Sequence, residues 1–538
     1  MKKRLTHLVA MVTVAAACLT TNAQNPYLPM WEYIPDGEPY VFDDPDNPGK
    51  QRVYVYGSHD MLRTAYCGLD QVVWSAPVDD LQAWRYDGVI FESKKDANGN
   101  YLNADQKGDV LYAPDVAVKT HADGTKTYYL YPNNQAGGRQ SMVCKSNRPD
   151  GPFEVCNWSK DDPRKTEGPF GFDPAAFIDD DGRAYGYWGF NRSYAAELDT
   201  ATMATVKPGA KIVEDMIPGR HMDRTYKFFE ASSIRKIKDK YVFIYSRKTN
   251  EGEDGHPVSN YNLAYCYSNS PLGPWTYGGT LIDGRGLERQ KDGTLAITAT
   301  PNCNTHGSIC QIGGQWYVFY HRHTGTTEYT RQAMVAPIYV EVMEGSDGYV
   351  RITQGEYTSE GFALEGLDPY KRIIAGTACY LTGPDPDVIK YPSILYTGSH
   401  SETWYAQYDG KTDPYDPSIN RCAMVNNTSG SVVGYKYLNL RRTYGKKGLK
   451  MVLNYQPEGT PGTMDIYVDR PTEEAGGVKV GSLTIPAKAG ADQVVKISVD
   501  ELRHYNGKHA LFLVFRSDVK GKSLCRLNDF HFVDSTTK

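Results

Sequence analysis

The stretch Gln315-Trp-Tyr-Val-Phe-Tyr320 decides the fold, because Tyr-rich stretches of the same kind occur four times before it. Tyr, Val and Phe favour β-strands, in which successive side chains point to opposite faces. Reference tyrosines of successive copies lie 74, 57, 56 and 76 residues apart, and a turn rich in Gly or Asp precedes each of the last four copies. The earlier copies are Arg52-Val-Tyr-Val-Tyr-Gly-Ser-His-Asp60, Thr127-Tyr-Tyr-Leu-Tyr131, Ala184-Tyr-Gly-Tyr-Trp188 and Lys240-Tyr-Val-Phe-Ile-Tyr245.

Five related units of roughly 50–75 residues are typical of a five-bladed β-propeller, whose blades meet at a central funnel. A β-sandwich would not repeat in this way. The repeat ends near residue 365, and we predict the propeller over residues 24–365.

From about residue 370 the pattern changes to separate alternating or apolar strands, such as Val432-Val-Gly-Tyr-Lys-Tyr-Leu438 and Ala510-Leu-Phe-Leu-Val-Phe515. Turns of Gly, Pro, Asn and Asp separate these strands. We predict a jelly-roll β-sandwich over residues 370–538, which makes the whole chain all-β.

The composition excludes two classes of protein. The 538 residues include 41 Tyr and 8 Trp, more aromatic side chains than a disordered chain carries. Lys and Arg number 59 against 64 Asp and Glu, so the net charge is −5, with no basic block. Proteins that bind nucleic acid need a basic surface, and we expect no such partner.

The N-terminal segment has the pattern of a signal peptide, with a basic start before the mostly apolar run Leu8–Leu19. We predict cleavage after Ala23, which makes residues 1–23 the signal peptide and sends the protein to the periplasm or the extracellular space. Cys18 is a less favoured lipid-attachment site, because the usual Leu is missing before it. The apolar run is too short for a permanent membrane helix, and we expect a monomer without a membrane span.

The mature chain would have nine cysteines without any Cys-x-x-Cys pair, which argues against zinc and thioredoxin-like sites. Cys144 with Cys156, or Cys303 with Cys310, is a candidate disulfide in an oxidising compartment. We expect most of the cysteines to be small core residues instead.

One polar residue precedes each Tyr-rich stretch at a nearly constant distance, in otherwise apolar surroundings. The distance is 11 to 13 residues in units two to five, and 18 in unit one, which carries an acidic insertion. Equivalent positions in blades related by rotation lie on a ring, so we predict that these side chains face one funnel. A turn cap would explain any one of them, but not five in register. The five residues are Asp36, Asp115, Asp173, Glu230 and His306.

Carboxyl groups crowded in one cleft raise each other's pKa, so that one donates a proton while another stays ionised. Hydrolysis of a glycosidic bond needs such a pair of carboxyl groups. Glu230 follows Phe228 and Phe229, and apolar surroundings of this kind favour the protonated carboxyl.

The motifs around these residues resemble glycoside hydrolase family 43, whose members are five-bladed propellers that invert the anomeric configuration. The resemblance covers about residues 25–360, and residues 370–538 resemble, more weakly, a carbohydrate-binding module of family 6. It implies that the propeller is catalytic, with Asp36 as general base, Glu230 as general acid, and Asp115 orienting Glu230 and tuning its pKa. The motifs are Ala113-Pro114-Asp115, Phe172-Asp173-Pro174, Glu230-Ala-Ser-Ser233 and Thr305-His306-Gly307.

One departure from the family concerns the general base. Many members have Asp-Pro there, whereas this chain has Asp36-Gly37-Glu38-Pro39. Asp36 keeps the expected spacing to Val41-Phe42, and Glu38 is the alternative. An inverting enzyme needs its two carboxyl groups about 6.5–9.5 Å apart to leave room for water, and opposed blades supply such a gap.

The resemblance implies further contacts with the sugar. Arg331 resembles an arginine that reaches the sugar pocket in many members, and we expect Asp173 to bind substrate as well. His59 and Asp60, at the end of the first Tyr-rich stretch, are candidates for contacts with sugar hydroxyls. Trp188 is a candidate stacking platform, with packing between blades as the alternative.

The resemblance also implies one structural calcium ion near the axis, bound through His306 and otherwise mostly by water, because imidazole is an unusual ligand for a hard cation. A satisfied core histidine is the alternative. His321 and His323 face the same way on a strand and are either metal ligands or polar residues at the funnel mouth. No organic cofactor is expected.

Two features of the C-terminal region have alternative interpretations. Trp404, Tyr405 and Tyr408 either stack on sugar or pack within the protein. Asp413-Pro-Tyr-Asp-Pro417 is either a structural calcium loop or a solvated loop.

The resemblance implies an exported, inverting exo-glycosidase that removes terminal α-L-arabinofuranosyl or β-D-xylosyl residues from plant cell-wall polysaccharides and oligosaccharides. Alternatives are a galactan-trimming enzyme of the same fold and a non-catalytic sugar-binding propeller, although the latter would need no unequal set of carboxylates. A retaining hydrolase or transferase of the fructan type would have its carboxyl groups about 5–5.5 Å apart.

Overall fold

The computed structural model describes residues 24–62, 64–219, 221–299, 304–384, 393–396 and 413–536. Their strands form a five-bladed propeller and, later in the chain, a sandwich of two sheets. The all-β fold class predicted from the sequence is confirmed. No helix in the described part of the chain has the length and hydropathy to cross a membrane. The 3-10 helices are Glu253–Gly255, Ala375–Thr377, Leu440–Arg442 and Asp500–His504.

Four blades are four-stranded antiparallel sheets whose strands follow one another in chain order. The Tyr-rich stretches form the second strand of each blade, and most of their side chains are buried against neighbouring blades. In chain order the strands are β1 (Glu38–Asp43), β2 (Gln51–Tyr56), β3 (Gln71–Pro77), β4 (Arg85–Phe91), β5 (Asp115–Thr120), β6 (Lys126–Tyr131), β7 (Cys144–Ser146), β8 (Glu154–Val155), β9 (Ala175–Ile178), β10 (Ala184–Trp188), β11 (Tyr194–Leu198), β12 (Val213–Glu214), β13 (Phe228–Ile237), β14 (Lys240–Arg247), β15 (Asn262–Ser268) and β16 (Thr276–Asp283).

In the chain, the fifth blade is preceded by one two-stranded hairpin, β17 (Glu288–Arg289) with β18 (Leu295–Ala296), and followed by another, β22 (Val340–Val342) with β23 (Val350–Ile352). Its sheet has three strands of its own, the second of which is the last Tyr-rich stretch. The strands of the blade itself are β19 (Ser308–Ile312), β20 (Gln315–His323) and β21 (Arg331–Ile338).

The N-terminal segment completes the fifth blade. The Asn25 side chain exchanges hydrogen bonds with the backbone of Val335, at 2.8 and 3.0 Å, and the Tyr27 N–H donates to the Ala333 carbonyl. Because Val335 and Ala333 belong to β21, the beginning of the propeller is fastened to its last blade. This contact closes the ring of blades.

The first strands of the blades, β1, β5, β9, β13 and β19, lie closest to the axis. In succession β5, β9, β13, β19 and β1 contact one another, and β1 meets β19 through a parallel bridge between Gly37 and Gly307. A side chain at Gly307 would lie 1.9 Å from the Phe319 carbonyl oxygen, so only glycine fits there. Residues at the starts of these strands therefore converge at one end of the axis.

The sandwich consists of the sheets β26-β27-β34-β29-β32, with β24 beside β34, and β25-β28-β33-β30-β31. Between them lies an apolar core that includes Met451, Ile466, Leu513 and Phe530. The strands are β24 (Ile373–Ile374), β25 (Tyr380–Thr382), β26 (Ser393–Tyr396), β27 (Cys422–Val425), β28 (Val432–Asn439), β29 (Lys450–Pro457), β30 (Gly462–Val468), β31 (Val478–Ile485), β32 (Gln493–Ser498), β33 (Lys508–Arg516) and β34 (Cys525–Val533).

Polar contacts join the sandwich to the propeller. Lys436 in β28 lies 3.0 Å from both Glu288 and Glu356, and the Leu381 N–H donates to the Thr298 carbonyl at 2.6 Å. The hairpin of β17 and β18, which precedes the fifth blade, is thereby attached to the sandwich. The exact domain boundaries stay a prediction.

The eight cysteines in the described ranges are free thiols, and seven of them are buried. The candidate disulfide between Cys144 and Cys156 is therefore not formed. Cys144 packs in the apolar cluster between the first two blades, as expected for a small core residue. Cys310 is also free, and its predicted partner Cys303 lies outside the described residues.

Candidate active site

A cavity of about 160 Å³ lies where the first strands begin. This volume is below the roughly 300–1,000 Å³ of pockets for drug-sized ligands and suits a single monosaccharide. Four of the five predicted ring residues line it, and Asp115 does not. The lining residues are Asp36, Tyr66, Cys67, Tyr112, Ala113, Phe172, Asp173, Glu230, Asn304, His306 and Arg331.

Unusual backbone conformations aim the carboxyl groups into this cavity. The φ angle is +61° at Asp36, +48° at Asp173 and +71° at Ala231, directly after Glu230. Residues other than glycine seldom adopt positive φ, and such positions cluster at functional sites. The pairing of β13 with β14 also shifts on both sides of Glu230, and an irregularity of this kind re-aims a side chain.

Asp36 is surrounded by groups that stabilise its ionised form. Burial alone would raise the pKa of its carboxyl group, but the positive charge of Arg331 and the hydroxyl of Ser58 help to lower it below the usual value. Arg331 Nη1 lies 3.2 Å from Asp36 Oδ1, and Ser58 Oγ donates to Oδ2 at 2.5 Å. At neutral pH this carboxylate is therefore a proton acceptor.

Glu230 has the opposite electrostatic environment. Burial and the negative charge of Asp36 raise its pKa to about 8, while Arg331 and Lys248 act in the other direction. Among the described residues, no side chain donates a hydrogen bond that would stabilise the carboxylate. Glu230 is therefore protonated at neutral pH and is a proton donor.

Asp173, rather than Asp115, is the carboxyl group whose pKa is raised by the charge of Glu230. Burial and then the charge of Glu230 raise the pKa of Asp173 well above its usual value. Its Oδ2 accepts the N–H of Ala231, the residue after Glu230, at 3.0 Å. Asp173 therefore both orients the strand that carries Glu230 and interacts with its charge.

Asp115 lies deeper along the axis than the cavity, which corrects the role given to it by resemblance. Its carboxylate accepts the Tyr40 hydroxyl at 2.6 Å and the Ala176 N–H at 2.8 Å, and so ties three blades together. The charge that acts most strongly on Glu230 is that of Asp36, and Asp115 is not among the groups that shift the Glu230 pKa.

Glu38, the alternative general base, also lies below the cavity. It is fully buried, with Arg235 Nη2 at 2.8 Å and Ser233 Oγ at 3.1 Å from its Oε2. Burial raises its pKa to about 8. Because Glu38 lies outside the cavity and Arg235 and Ser233 bind its carboxyl group, the geometry supports Asp36 over Glu38 as the base.

Arg331 lines the cavity as predicted, whereas His59 and Asp60 do not. Both Asp60 oxygens bind the Arg331 guanidinium at 2.8 Å, and the side chain of Asp60 is fully buried. His59 is buried against Asp70, with Nδ1 at 2.6 Å from Oδ1. The predicted contacts of His59 and Asp60 with sugar hydroxyls are therefore wrong, and Asp60 instead positions Arg331.

Trp188 also lies away from the cavity. It is buried among the aromatic rings of Phe170 and Tyr194, so its predicted role as a sugar platform gives way to packing between blades. His321 and His323 are buried beneath the site, not at the funnel mouth. The Asp36 N–H donates to His321 Nδ1 at 3.3 Å, and His321 Nε2 lies 2.9 Å from the Asn304 carbonyl.

Among the C-terminal candidates, only the acidic loop Asp413–Pro417 lies within the described residues, and none of its side chains lines the cavity. Trp404, Tyr405 and Tyr408 lie outside the described residues. In the acidic loop, Asp413 accepts the Tyr415 N–H and Asp416 accepts the Ser418 N–H and hydroxyl. These turns within the loop fit the interpretation as a solvated loop.

The surroundings of His306 fit a metal ion only in part. Its Nε2 and the Glu38 Oε1 are both buried without a hydrogen-bond partner, 3.8 Å apart. Burial lowers the pKa of His306 to about 4, so the imidazole is neutral and able to act as a ligand. Within the described ranges, no three His, Cys, Asp or Glu side chains cluster around one point. The donor set therefore fits only an ion whose shell is completed by water.

Sequence reasoning missed several lining residues, of which Tyr112, Phe172 and Asn304 form walls of the cavity. Each lies within three residues of a predicted ring position. Their closeness in the sequence to Asp115, Asp173 or His306 was therefore the one feature that could have predicted them as lining residues.

Comparison with known proteins identifies the family. Residues 64–342, over half of the chain, match glycosyl hydrolases family 43. The chain belongs to this family. It is therefore a glycoside hydrolase, and the matched range contains Glu230, Asp173 and His306 but not Asp36.

Two relatives extend the similarity of this family 43 chain to nearly its full length. A "Xylosidase/arabinosidase" of Thermoclostridium stercorarium is 32% identical over 520 residues, which cover 93% of this chain and 98% of the relative. An "Arabinoxylan arabinofuranohydrolase" of Paenibacillus polymyxa is 24% identical, over 94% of this chain and 73% of the relative. Among solved structures, a family 43 arabinoxylan arabinofuranohydrolase from Bacillus subtilis aligns with a TM-score of 0.44 and 20% identity, over 96% of this chain and 100% of that one.

Proposed function

We propose that this family 43 enzyme removes single α-L-arabinofuranosyl or β-D-xylosyl residues from the ends of xylan-type chains, with inversion of the anomeric configuration. The observation that carries the proposal is the opposite shift of two carboxyl pKa values in one cavity of monosaccharide size. The pKa of Asp36 is lowered, whereas that of Glu230 is raised to about 8.

The proposed reaction follows from these protonation states. Glu230 gives its proton to the glycosidic oxygen as the bond from this oxygen to the anomeric carbon breaks. On the opposite face, Asp36 takes a proton from water while the water oxygen bonds to the anomeric carbon. The products are the inverted free sugar and the shortened alcohol, and afterwards a proton passes from Asp36 to Glu230 through solvent.

Arg331 and Asp173 support the two reacting groups in this proposal. Arg331 keeps Asp36 ionised from below, and it is itself held by Asp60. Asp173 fixes the Ala231 N–H and places a second carboxyl group beside Glu230. Both are positioning residues for the pair that reacts.

The choice of sugar rests on two kinds of support. The relatives that align over almost the whole chain have names that refer to xylosidase, arabinosidase and arabinoxylan arabinofuranohydrolase activities. The cavity, at about 160 Å³, suits a single small sugar and favours release of terminal residues over cleavage within a chain.

The proposal includes one calcium ion on the axis. His306 Nε2 and Glu38 Oε1 would hold it, with water completing the shell. When bound, the ion supplies positive charge beneath the site. Thermal unfolding with Ca²⁺ and with a chelator tests this part, and equal Tm values under the two conditions would contradict it.

The proposal also places the enzyme outside the cytoplasm. Support comes from the predicted signal peptide, residues 1–23, which lies outside the described residues. Asn25, just after the predicted cleavage position, is buried against the fifth blade. Mass spectrometry of the secreted protein should find Gln24 as its first residue.

Proton NMR during hydrolysis tests the proposed reaction directly. The substrates are aryl α-L-arabinofuranosides, β-D-xylosides and β-D-galactosides. We expect the arabinosyl or xylosyl substrate to yield first the anomer opposite to that of the substrate. Retention would contradict inversion, release of galactose alone would favour the galactan-trimming alternative, and sugar binding without release would favour the non-catalytic one.

A further inference from the structure

An aromatic side chain lies at the rim of the cavity, and the proposed reaction does not use it. Phe190 is 48% exposed, whereas Phe229 beside it is only 8% exposed. Single exposed apolar residues are ordinary on protein surfaces, so this exposure by itself means little. The position of Phe190 relative to the two acidic residues is what matters.

Two backbone hydrogen bonds fix the loop that carries Phe190. The Gly189 N–H donates to the Phe172 carbonyl at 2.8 Å, and the Asn191 N–H donates to the Phe229 carbonyl at 2.6 Å. Phe172 directly precedes Asp173, and Phe229 directly precedes Glu230. Phe190 is therefore held between the two segments that present these carboxyl groups.

Ring contacts make a continuous aromatic surface from the cavity to the rim. The Phe190 ring centroid lies 5.2 Å from that of Phe172, which lines the cavity, and 5.0 Å from that of Phe229. Tyr112 also lines the cavity and extends this surface, with its ring centroid 6.4 Å from that of Phe172. These contacts hold the Phe190 ring on the Glu230 side of the opening.

The leaving group of the substrate must lie on the Glu230 side of the cavity. Glu230 protonates the oxygen that joins the released sugar to the rest of the chain, so the next sugar lies beyond Glu230. The cavity has room for one monosaccharide, and the next ring must therefore lie at the rim. A phenyl ring offers no hydrogen bonds, but it packs well against the C–H face of a pyranose.

We propose that Phe190 forms the subsite for the leaving group, where it stacks on the pyranose ring next to the bond that is cleaved. This inference rests on the proposed function, because it takes Glu230 as the acid. It deepens that function by assigning recognition of the xylan side of the bond to one residue. Stacking without hydrogen bonds also predicts tolerance of different substituents on that pyranose.

The test compares substrates that share the released sugar but differ in the leaving group. Xylobiose is paired with β-D-xylosyl fluoride, and an arabinofuranosyl xylobiose with α-L-arabinofuranosyl fluoride. In Phe190→Ala we expect kcat/KM for the oligosaccharide, divided by kcat/KM for the fluoride, to fall about tenfold, because only the oligosaccharide loses a stacking partner. Phe190→Tyr should restore the ratio.

Tyr339→Ala is the matched control. Tyr339 is also aromatic and is 78% exposed, and it lies between β21 and β22 and does not line the cavity. This variant should leave the ratio unchanged. An equal loss on both members of a pair in Phe190→Ala, or no loss on either, would overturn the subsite while leaving the proposed function in place. A wild-type enzyme inactive on both pairs would overturn the proposed function and the subsite together.

Discussion

The propeller and the sandwich are both built from antiparallel strands, yet their centres bury opposite kinds of side chain. At the propeller axis the carboxyl groups of Asp36, Asp173 and Glu230 are less than 10% exposed. The centre of the sandwich is an apolar cluster that includes Leu513 and Phe530. Rotation about an axis brings the same position of every blade to one place, whereas two stacked sheets have no such point of convergence.

This difference explains why the chemistry is found in the propeller. A buried carboxyl group is costly unless it is paired or protonated, and the axis contains both cases. Asp36 is paired with Arg331, whereas Glu230 has a raised pKa. In the sandwich the buried Asp465 forms ion pairs with Lys479 and Arg516, and its pKa is lowered despite its burial. Asp465 therefore stays ionised and is not a proton donor.

The largest expected effect is that of Glu230→Gln. Loss of the proton donor should lower kcat on an oligosaccharide by about a thousandfold, within the range known for general acid catalysis. An aryl substrate with an acidic leaving group should lose much less, because its oxygen needs no proton. Asp465→Asn in the sandwich is the matched control and should keep kcat within about twofold of wild type. Equal losses of kcat in the two variants would contradict the claim that the catalytic carboxyl groups lie in the propeller and not in the sandwich.

Next comes Arg331→Met, which removes the cation beside Asp36. The pKa of Asp36 should rise, so the base becomes protonated at higher pH and the acidic limb of kcat/KM moves upward. Leaving two carboxylates buried should also lower the free energy of unfolding by about 3–5 kcal/mol. Urea unfolding and a pH profile measure both effects.

Arg516→Met, at the half-exposed pair with Asp465, is the control for this variant. It should cost less than about 1 kcal/mol and leave the acidic limb in place. Similar losses in the two variants would show that burial at the axis makes no difference to an ion pair.

Asp173→Asn should lower kcat/KM but leave the basic limb of the pH profile near its wild-type position. The pKa of Asp173 is raised well above its usual value, so its carboxyl group is uncharged when Glu230 titrates, and the variant mainly disturbs the contact with the Ala231 N–H. Asp115→Asn, which changes a carboxyl group outside the cavity, should leave this limb where it is. A shift in Asp115→Asn alone would restore the role that the resemblance gave to Asp115.

Lys248→Met should move the basic limb of the pH profile slightly upward. The ammonium group lies 4.3 Å from the ring centroid of Phe229 and lowers the pKa of Glu230. Its removal should raise the pH at which activity is lost. Lys508→Met in the sandwich should have no such effect, and a downward shift in Lys248→Met would contradict the assignment.

The smallest effect on activity is expected from Leu513→Ala in the sandwich core. The empty space left by the missing side-chain atoms should lower the free energy of unfolding by about 2–5 kcal/mol, because Leu513 is fully buried. At 25 °C kcat/KM should remain within about twofold of wild type. A large loss of activity in the folded variant would show that the sandwich core shapes the active site.

The fold was predictable from the sequence because the Tyr-rich stretches repeat at similar spacing. The positions of Asp36, Asp173, Glu230 and His306 followed from the same register, since each lies near the start of a first strand. The N-terminal segment that completes the fifth blade was not predicted. It contributes only a few residues, too few to show a strand period.

For Asp115, the spacing to the Tyr-rich stretch did not predict the depth of the side chain along the axis. Asp115 pairs with Tyr131 as Glu38 pairs with Tyr56, at the first position of β5 and β1 respectively. Asp36 precedes the strand position of Glu38 by two residues, a step of about 7 Å along a strand, and its positive φ turns its side chain into the cavity. Asp115 is therefore at the depth of Glu38, below the cavity. Hairpins of different length hid this offset in the sequence.

The burial of His59, Asp60 and Trp188 could not be predicted from the sequence either. Their types suit sugar contacts, and only the packing of neighbouring blades decides which of them reach the cavity. Asp60 and His59 are enclosed by Arg331 and Asp70, and Trp188 by Phe170 and Tyr194.

The central claim is that Asp36 is ionised and Glu230 is protonated in the free enzyme. The pH profile of kcat/KM tests it most directly, because its limbs report the pKa values of the free base and acid. With an oligosaccharide substrate, whose leaving oxygen needs the proton of Glu230, we predict a basic limb near pH 8 and an acidic limb below 3.8, the usual Asp value. Glu230→Gln should lose only the basic limb and Asp36→Asn only the acidic one. A basic limb that persists in Glu230→Gln would contradict the account.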